Sequence, residues 1–147
     1  MEPVINEGKT IMFVEDDRDV IKIVEAYAKQ KTHSHTFFMV KLGGRAALNY
    51  LERWEYESVD AVVLDLKMPD MGGLKLTQRI REGEKKHRPG CKPIKIFWYT
   101  GLQFDEGDKY DPYTLVMNER KVEKVFTKPY AVTDVIEEVL VSLENDS

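Results

Sequence analysis

The sequence predicts a three-layer α/β sandwich in which five parallel strands are doubly wound by five helices, a (βα)5 chain. Three observations carry that expectation. Short apolar, β-rich runs alternate with helical patterns along nearly the whole length. The runs are apolar on both faces, as in Ile11-Met12-Phe13-Val14, which fits parallel strands covered on each side. The chain's most reactive polar residues stand where these runs end, and ligands of such sheets gather at the carboxyl ends of the strands.

The first run, 11–14, leads into Glu15, Asp16 and Asp17. Val20, Ile21, Ile23, Val24, Tyr27 and Ala28 then recur at helical spacing. The second run covers 36–40, and Ala46, Ala47, Tyr50, Leu51 and Trp54 mark the second helix. The third run, 61–64, ends at Asp65 and a Pro/Gly turn, after which Leu74, Leu76, Thr77 and Ile80 suggest a third helix. Residues 82–93, rich in Gly, Pro and charge, read as a loop elaboration. The fourth run, 94–99, is followed by Thr100, and the acidic stretch 103–111 reads as a second loop. Asp111-Pro112 is an N-cap and first-turn pair that opens a short fourth helix over 113–120. The fifth run, 122–126, leads to Lys128-Pro129, and Val132, Val135, Ile136, Val139, Leu140 and Leu143 form the last helix. Alternation of this kind implies crossover connections and hence parallel neighbours.

A chain of 147 residues suits one domain with a real core. Hydrophobic residues make up 42% and charged residues 33%, which points to a soluble globular class. The net charge of −4 gives no push toward nucleic acid or an anionic membrane, so neither is an expected direct partner. Cys91 has no second cysteine to pair with, which favours a reducing compartment. Residues 1–10 are polar and carry Glu2 and Glu7, unlike a signal peptide. No apolar stretch approaches the roughly 20 residues that span a bilayer. A cytoplasmic protein is expected, with residues 1–9 as an N-terminal extension and 10–147 as the domain.

Asp65 is the centre of the chemistry. A carboxylate closing a buried strand is costly unless it is paired, solvated or bound to a metal. Strand ends that offer Glu15 and Asp16, Asp65, the Thr100 hydroxyl and the Lys128 ammonium describe a phosphoryl-transfer site with Asp65 as nucleophile. Carboxylate attack on phosphorus gives an acyl phosphate, and a divalent cation answers the repulsion between the two anions. Mg²⁺ takes one or two carboxylates and keeps several waters. Asp16 and Asp65 are therefore its candidate ligands, with Glu15 holding a coordinated water and the Lys67 backbone carbonyl completing the shell. Lys128 and Thr100 each meet a phosphoryl oxygen, and the N–H groups of residues 66–68 can form an anion nest.

Four motifs together resemble the receiver domain of two-component response regulators, over roughly residues 10–143. They are the strand and acidic cluster 11–17, the stretch 62–74 with its Met-Pro-x-Met-x-Gly turn, Tyr99-Thr100-Gly101, and Phe126-Thr127-Lys128-Pro129-Tyr130. The resemblance implies a flavodoxin-like strand order 2-1-3-4-5. It also implies that Asp65 accepts phosphate from a sensor histidine kinase or a histidine phosphotransfer protein. Glu15 and Asp16 then organise Mg²⁺, Thr100 swings toward the phosphoryl group and Lys128 holds it. The Lys128-Pro129 bond is expected to be cis, and the protein to be a monomer or a phosphorylation-dependent dimer. Only four residues follow Leu143, so output is expected to pass to a target protein in trans.

The sequence departs from that family in three places. Val125 stands three residues before Lys128, where the family often has Tyr or Phe, and a valine cannot report phosphorylation by an aromatic rotamer change. Phe126 is one residue off and faces the other side of the sheet. Gly72 stands where Asp or Asn is common. The interval from Thr100 to Lys128 is long and holds Tyr110 and Tyr113, which makes 103–120 the expected partner surface.

Blander readings exist for each residue. Asp17 suits an N-cap, Asp65 a turn, Thr100 a strand end and Lys128 a solvated surface; their joint coincidence is what counts against them. Lys85-Lys86-His87-Arg88 reads as a solvated loop, not a nucleic-acid patch. Asp105, Glu106, Asp108 and Asp111 lack the EF-hand spacing. Trp54, Tyr56, Trp98 and Tyr99 read as core or rim packing, and His33, His35 and His87 show no metal-ligand pattern. A Mg²⁺-dependent aspartyl phosphohydrolase is a competing function, but its general-acid Asp belongs two residues after the nucleophile, where Lys67 stands. A constitutive receiver-like scaffold is another, favoured by Val125 and opposed by the full set of charged residues.

Overall fold

Side chains that alternate along each strand sort the core into two halves, and that sorting builds the molecule. A computed structural model describes residues 8–30, 35–53 and 59–145. Its elements are β1 (Lys9–Val14), α1 (Arg18–Gln30), β2 (Thr36–Lys41), α2 (Gly44–Arg53) and β3 (Ala61–Leu64). They continue as α3 (Gly73–His87), β4 (Lys95–Thr100), α4 (Pro112–Glu119), β5 (Lys124–Thr127) and α5 (Val132–Glu144). All five strands are parallel, in the order β2-β1-β3-β4-β5. Ile11 and Phe13 of β1, Ala61 and Val63 of β3, and Phe97 and Tyr99 of β4 pack with α1 and α5. Met12, Val14, Val62, Leu64, Ile96 and Trp98 point the other way, toward α2, α3 and α4. A strand buried on both faces reads as continuously apolar, which is the reason the pattern lacks alternation.

The helices turn one stripe inward. Val20, Val24 and Tyr27 are the buried positions of α1, and Val132, Val135, Ile136, Val139 and Leu143 those of α5. β2 and β5 are the outer strands of the sheet, and Phe37 of β2 points outward with 69% of its surface exposed. No described helix is long and apolar enough to cross a membrane.

Several boundaries differ from the sequence reading. β1 begins at Lys9, ahead of the apolar run that starts at Ile11. Thr100 is the last residue of β4, and β5 begins at Lys124: the Val122 N–H still bonds back to the Met117 carbonyl of α4, while the Glu123 N–H already reaches the Ile96 carbonyl of β4. The larger correction concerns 82–93. Helix α3 continues to His87, so Lys85, Lys86 and His87 are its basic last turn and not a loop, a placement that suits the negative end of the helix dipole. The inward stripe runs Thr77, Ile80, Glu84, and its last member is a carboxylate. Glu84 is buried, ion-paired to Arg81 at 2.8 Å, and accepts the Ile94 N–H. Trp54, Tyr56 and His33 lie outside the described residues.

Candidate functional site

Parallel register brings the ends of four strands to one edge. Val14 pairs with Leu64, Leu64 with Trp98, and Thr100 with Thr127. The next residue on each strand therefore meets its neighbour: the Asp65 N–H donates to the Val14 carbonyl at 3.2 Å and the Lys128 N–H to the Thr100 carbonyl at 2.8 Å. The cis Lys128-Pro129 bond ends β5 and turns the chain away.

Lys128 joins the acids. Its Nζ donates to Glu15 Oε1 and Oε2 at 3.1 and 3.2 Å and to Asp65 Oδ2 at 3.2 Å. It also lies 5.0 Å from the centre of the Tyr99 ring. Asp65 Oδ1 accepts from the Lys67 N–H at 3.2 Å. Glu15 is 2% exposed, and burial pushes its carboxyl above the usual range against the pull of Lys128. Burial opposes the charge of Lys128 too, but Glu15 and Asp65 hold its ammonium above the ordinary lysine value. Thr100 is fully buried, with Oγ1 accepting from the Leu102 N–H at 3.1 Å.

The acidic cluster after β1 divides its labour. Glu15 turns inward, Asp16 is exposed at the rim, and Asp17 Oδ1 accepts the Asp19 N–H at 2.9 Å as the cap of α1. Both the metal reading and the capping reading thus find a residue here. Glu15, Asp16 and Asp65 set three negative charges against the one ammonium of Lys128. The remainder equals the charge of one divalent cation, and hard carboxylate oxygens are the donors that Mg²⁺ or Mn²⁺ prefers. Among the described residues no group of three or more Asp, Glu, His or Cys side chains is gathered closely enough to hold a metal ion by itself.

With this geometry in hand, comparison with known proteins is direct. A family model, the response regulator receiver domain, matches residues 11–139. The chain belongs to that family. Its members are signalling modules and not enzymes of the ordinary kind. Among curated relatives, response regulator mcs4 of Schizosaccharomyces pombe is 29% identical over 86 residues, which cover 58% of this chain and 15% of mcs4. The receiver domain thus spans a small part of that relative's length. Two solved structures share its fold. One is the receiver domain of Ssk1 from Saccharomyces cerevisiae, crystallised with the histidine phosphotransfer protein Ypd1, at TM-score 0.68 and 18% identity over 89% of this chain and 86% of that one. The other is the Mn²⁺-bound response regulator Rcp1, at TM-score 0.64 and 23% identity over 89% and 88%.

Two features of this receiver domain escape a reading of residue types. Asp70, in the turn after β3, accepts the Gly44 and Arg45 N–H groups at 3.2 and 3.1 Å and so caps α2 from a distance. The available signal is that α2 opens on Gly43-Gly44 with no Ser, Thr, Asp or Asn of its own; a Cβ on Gly43 would meet the Asp70 carboxylate at 2.8 Å. Gly73 likewise admits no side chain, since a Cβ there would sit 2.5 Å from the Asp65 carbonyl. That close approach sets the first turn of α3 directly behind the central aspartate.

Proposed function

We propose that this receiver domain takes a phosphoryl group onto Asp65 from a sensor histidine kinase or a histidine phosphotransfer protein, and relays the signal to a downstream protein by changing its surface. The observation that carries the reading is the Lys128 ammonium shared between Glu15 and Asp65 at the carboxyl edge of the sheet. In the transfer, an Asp65 carboxylate oxygen attacks phosphorus, the bond from phosphorus to the donor imidazole nitrogen breaks, and its electron pair stays on that nitrogen. The Lys67 N–H and Lys128 Nζ hold the two Asp65 oxygens and fix the direction of attack. Lys128 then meets a phosphoryl oxygen, and the Thr100 hydroxyl turns to bond another. Glu15, Asp16, Asp65 and the Lys67 carbonyl are the groups that would hold Mg²⁺, which shields the negative charge between carboxylate and phosphoryl oxygens. Other readings remain part of this proposal: a cytoplasmic setting, consistent with the lone and exposed Cys91, and a monomer or a phosphorylation-dependent dimer.

Incubation with acetyl phosphate and Mg²⁺, followed by intact-mass measurement, tests the site. One phosphoryl adduct is expected for the parent chain and none for Asp65→Asn. An adduct of equal extent on Asp65→Asn would refute the assignment.

A further inference from the structure

Lys95 opens β4 at the end of the sheet opposite Asp65, and a cavity of about 430 Å³ lies there between β4 and the carboxyl ends of α3 and α4. Small-ligand sites are about 300–1,000 Å³. Lys85, Lys92, Lys95, Arg120 and Lys121 line the cavity against two acids, Glu119 and Glu123. Arg81 lines it too, but its guanidinium is taken up by protein partners. It donates to the Arg120, Lys121 and Ile94 carbonyls at 2.7, 3.2 and 2.7 Å and to Glu84 Oε1 at 2.8 Å. A smaller cavity shares Lys92 and Lys95 and adds Lys9 and Arg88, against Asp60. A chain of net charge −4 thus turns a cationic hollow outward at this end.

We propose that this cavity binds an oligophosphate, either the diphosphate of a nucleotide or an inorganic chain. Cations near helix carboxyl ends have an ordinary use, which is to meet the negative end of the dipole. Here Arg81 already takes the carbonyls that follow α4. The ammonium groups of Lys85 and Lys121 are left with no hydrogen-bond or ion-pair partner among the described residues. Lys121 is the more telling of the two. Its φ is 56°, the left-handed conformation that glycine usually supplies just beyond a helix because a Cβ is strained there. The turn itself has no use for a lysine, so what the side chain adds is charge beside the cavity. Oligophosphate oxygens accept from several ammonium and guanidinium donors at once, whereas one carboxylate would leave most of these cations unmatched. The site stands apart from Asp65 and does not rest on the reading of that residue.

The test uses the full chain in EDTA and titrates pyrophosphate, ADP, adenosine and sulfate by calorimetry at constant ionic strength. Pyrophosphate and ADP are expected to bind, adenosine to give no heat, and sulfate to bind at least about tenfold more weakly, since it offers fewer charged oxygens. Binding of ADP that is clearly tighter than that of pyrophosphate identifies a nucleotide as the source. Equal or weaker binding of ADP identifies an inorganic chain. Lys85→Ala and Lys121→Gly are each expected to weaken pyrophosphate about tenfold, the size of one lost charge-assisted hydrogen bond. Lys121→Gly should melt no lower than the parent, because glycine takes the left-handed turn without strain, so its weaker binding cannot come from unfolding. Three results overturn the site: no heat from either pyrophosphate or ADP, sulfate binding as tightly as pyrophosphate, or parent-like affinity in both lysine variants.

Discussion

Asp70 lies in the turn that follows the central aspartate, yet both of its oxygens serve a helix elsewhere in the chain. Burial works against its charge, but the N–H groups of Arg45, Gly44 and Met71 outweigh that and hold its carboxyl below the ordinary range. A depressed native value means the stabilisation is present above the unfolded value of 3.8 and fades as pH falls through the native one. Asp70→Ala is expected to cost about 1 kcal/mol at neutral pH, the size of a lost N-cap. Urea midpoints measure it, and the gap between parent and variant should close below pH 3.8; a gap that stays constant there would discard the capping account. Glu15, Asp65, Thr100 and Lys128 are legible in the sequence because each closes or adjoins the end of an apolar run. The role of Asp70 is not, since its partners lie 26 and 25 positions away and an Asp in a Pro/Gly turn already has a local explanation.

Helix α3 shows what periodicity misses at the level of an element. An apolar count stops at Ile80, while the buried stripe goes on to Glu84, which satisfies Arg81 and the entry to β4 together. Its side chain is 9% exposed and that of Arg81 13%, so the pair is largely shielded from water. Glu84→Ala removes the carboxylate partner of Arg81, which keeps its carbonyl acceptors at Ile94, Arg120 and Lys121, and leaves the Ile94 N–H without its acceptor; about 2 kcal/mol of destabilisation is expected. Chemical denaturation measures this, and a loss below about 0.5 kcal/mol, the scale of an ordinary surface change, would contradict a structural role for the pair. Helix α4, by contrast, is readable from its cap: Asp111 Oδ1 accepts the Tyr113 and Thr114 N–H groups at 2.8 and 3.3 Å ahead of an otherwise unremarkable segment. The loop before it reads as solvent-facing because Asp, Glu and Gly dominate it, and a single Phe among them carries little weight in any pattern.

At the scale of the molecule, alternating strand and helix signals suffice to give a parallel sheet with helices on both sides, and hence an edge where strand ends meet. The order of the strands is another matter. No spacing in the chain dictates that β1 lies between β2 and β3, and the expected order came from the resemblance of motifs, not from the elements themselves. That order leaves β2 at one margin with Phe37 facing out. An outermost strand exposes unpaired backbone groups, and a large ring beside them turns the margin into an adhesive seam for other chains. Phe37→Lys is expected to leave thermodynamic stability within about 0.5 kcal/mol while slowing the growth of light scattering during mild heating. Identical scattering curves would remove the seam from consideration. The placement of one phenylalanine thus bears on how concentrated this protein can become before it clumps, a property unrelated to anything at the opposite end of the sheet.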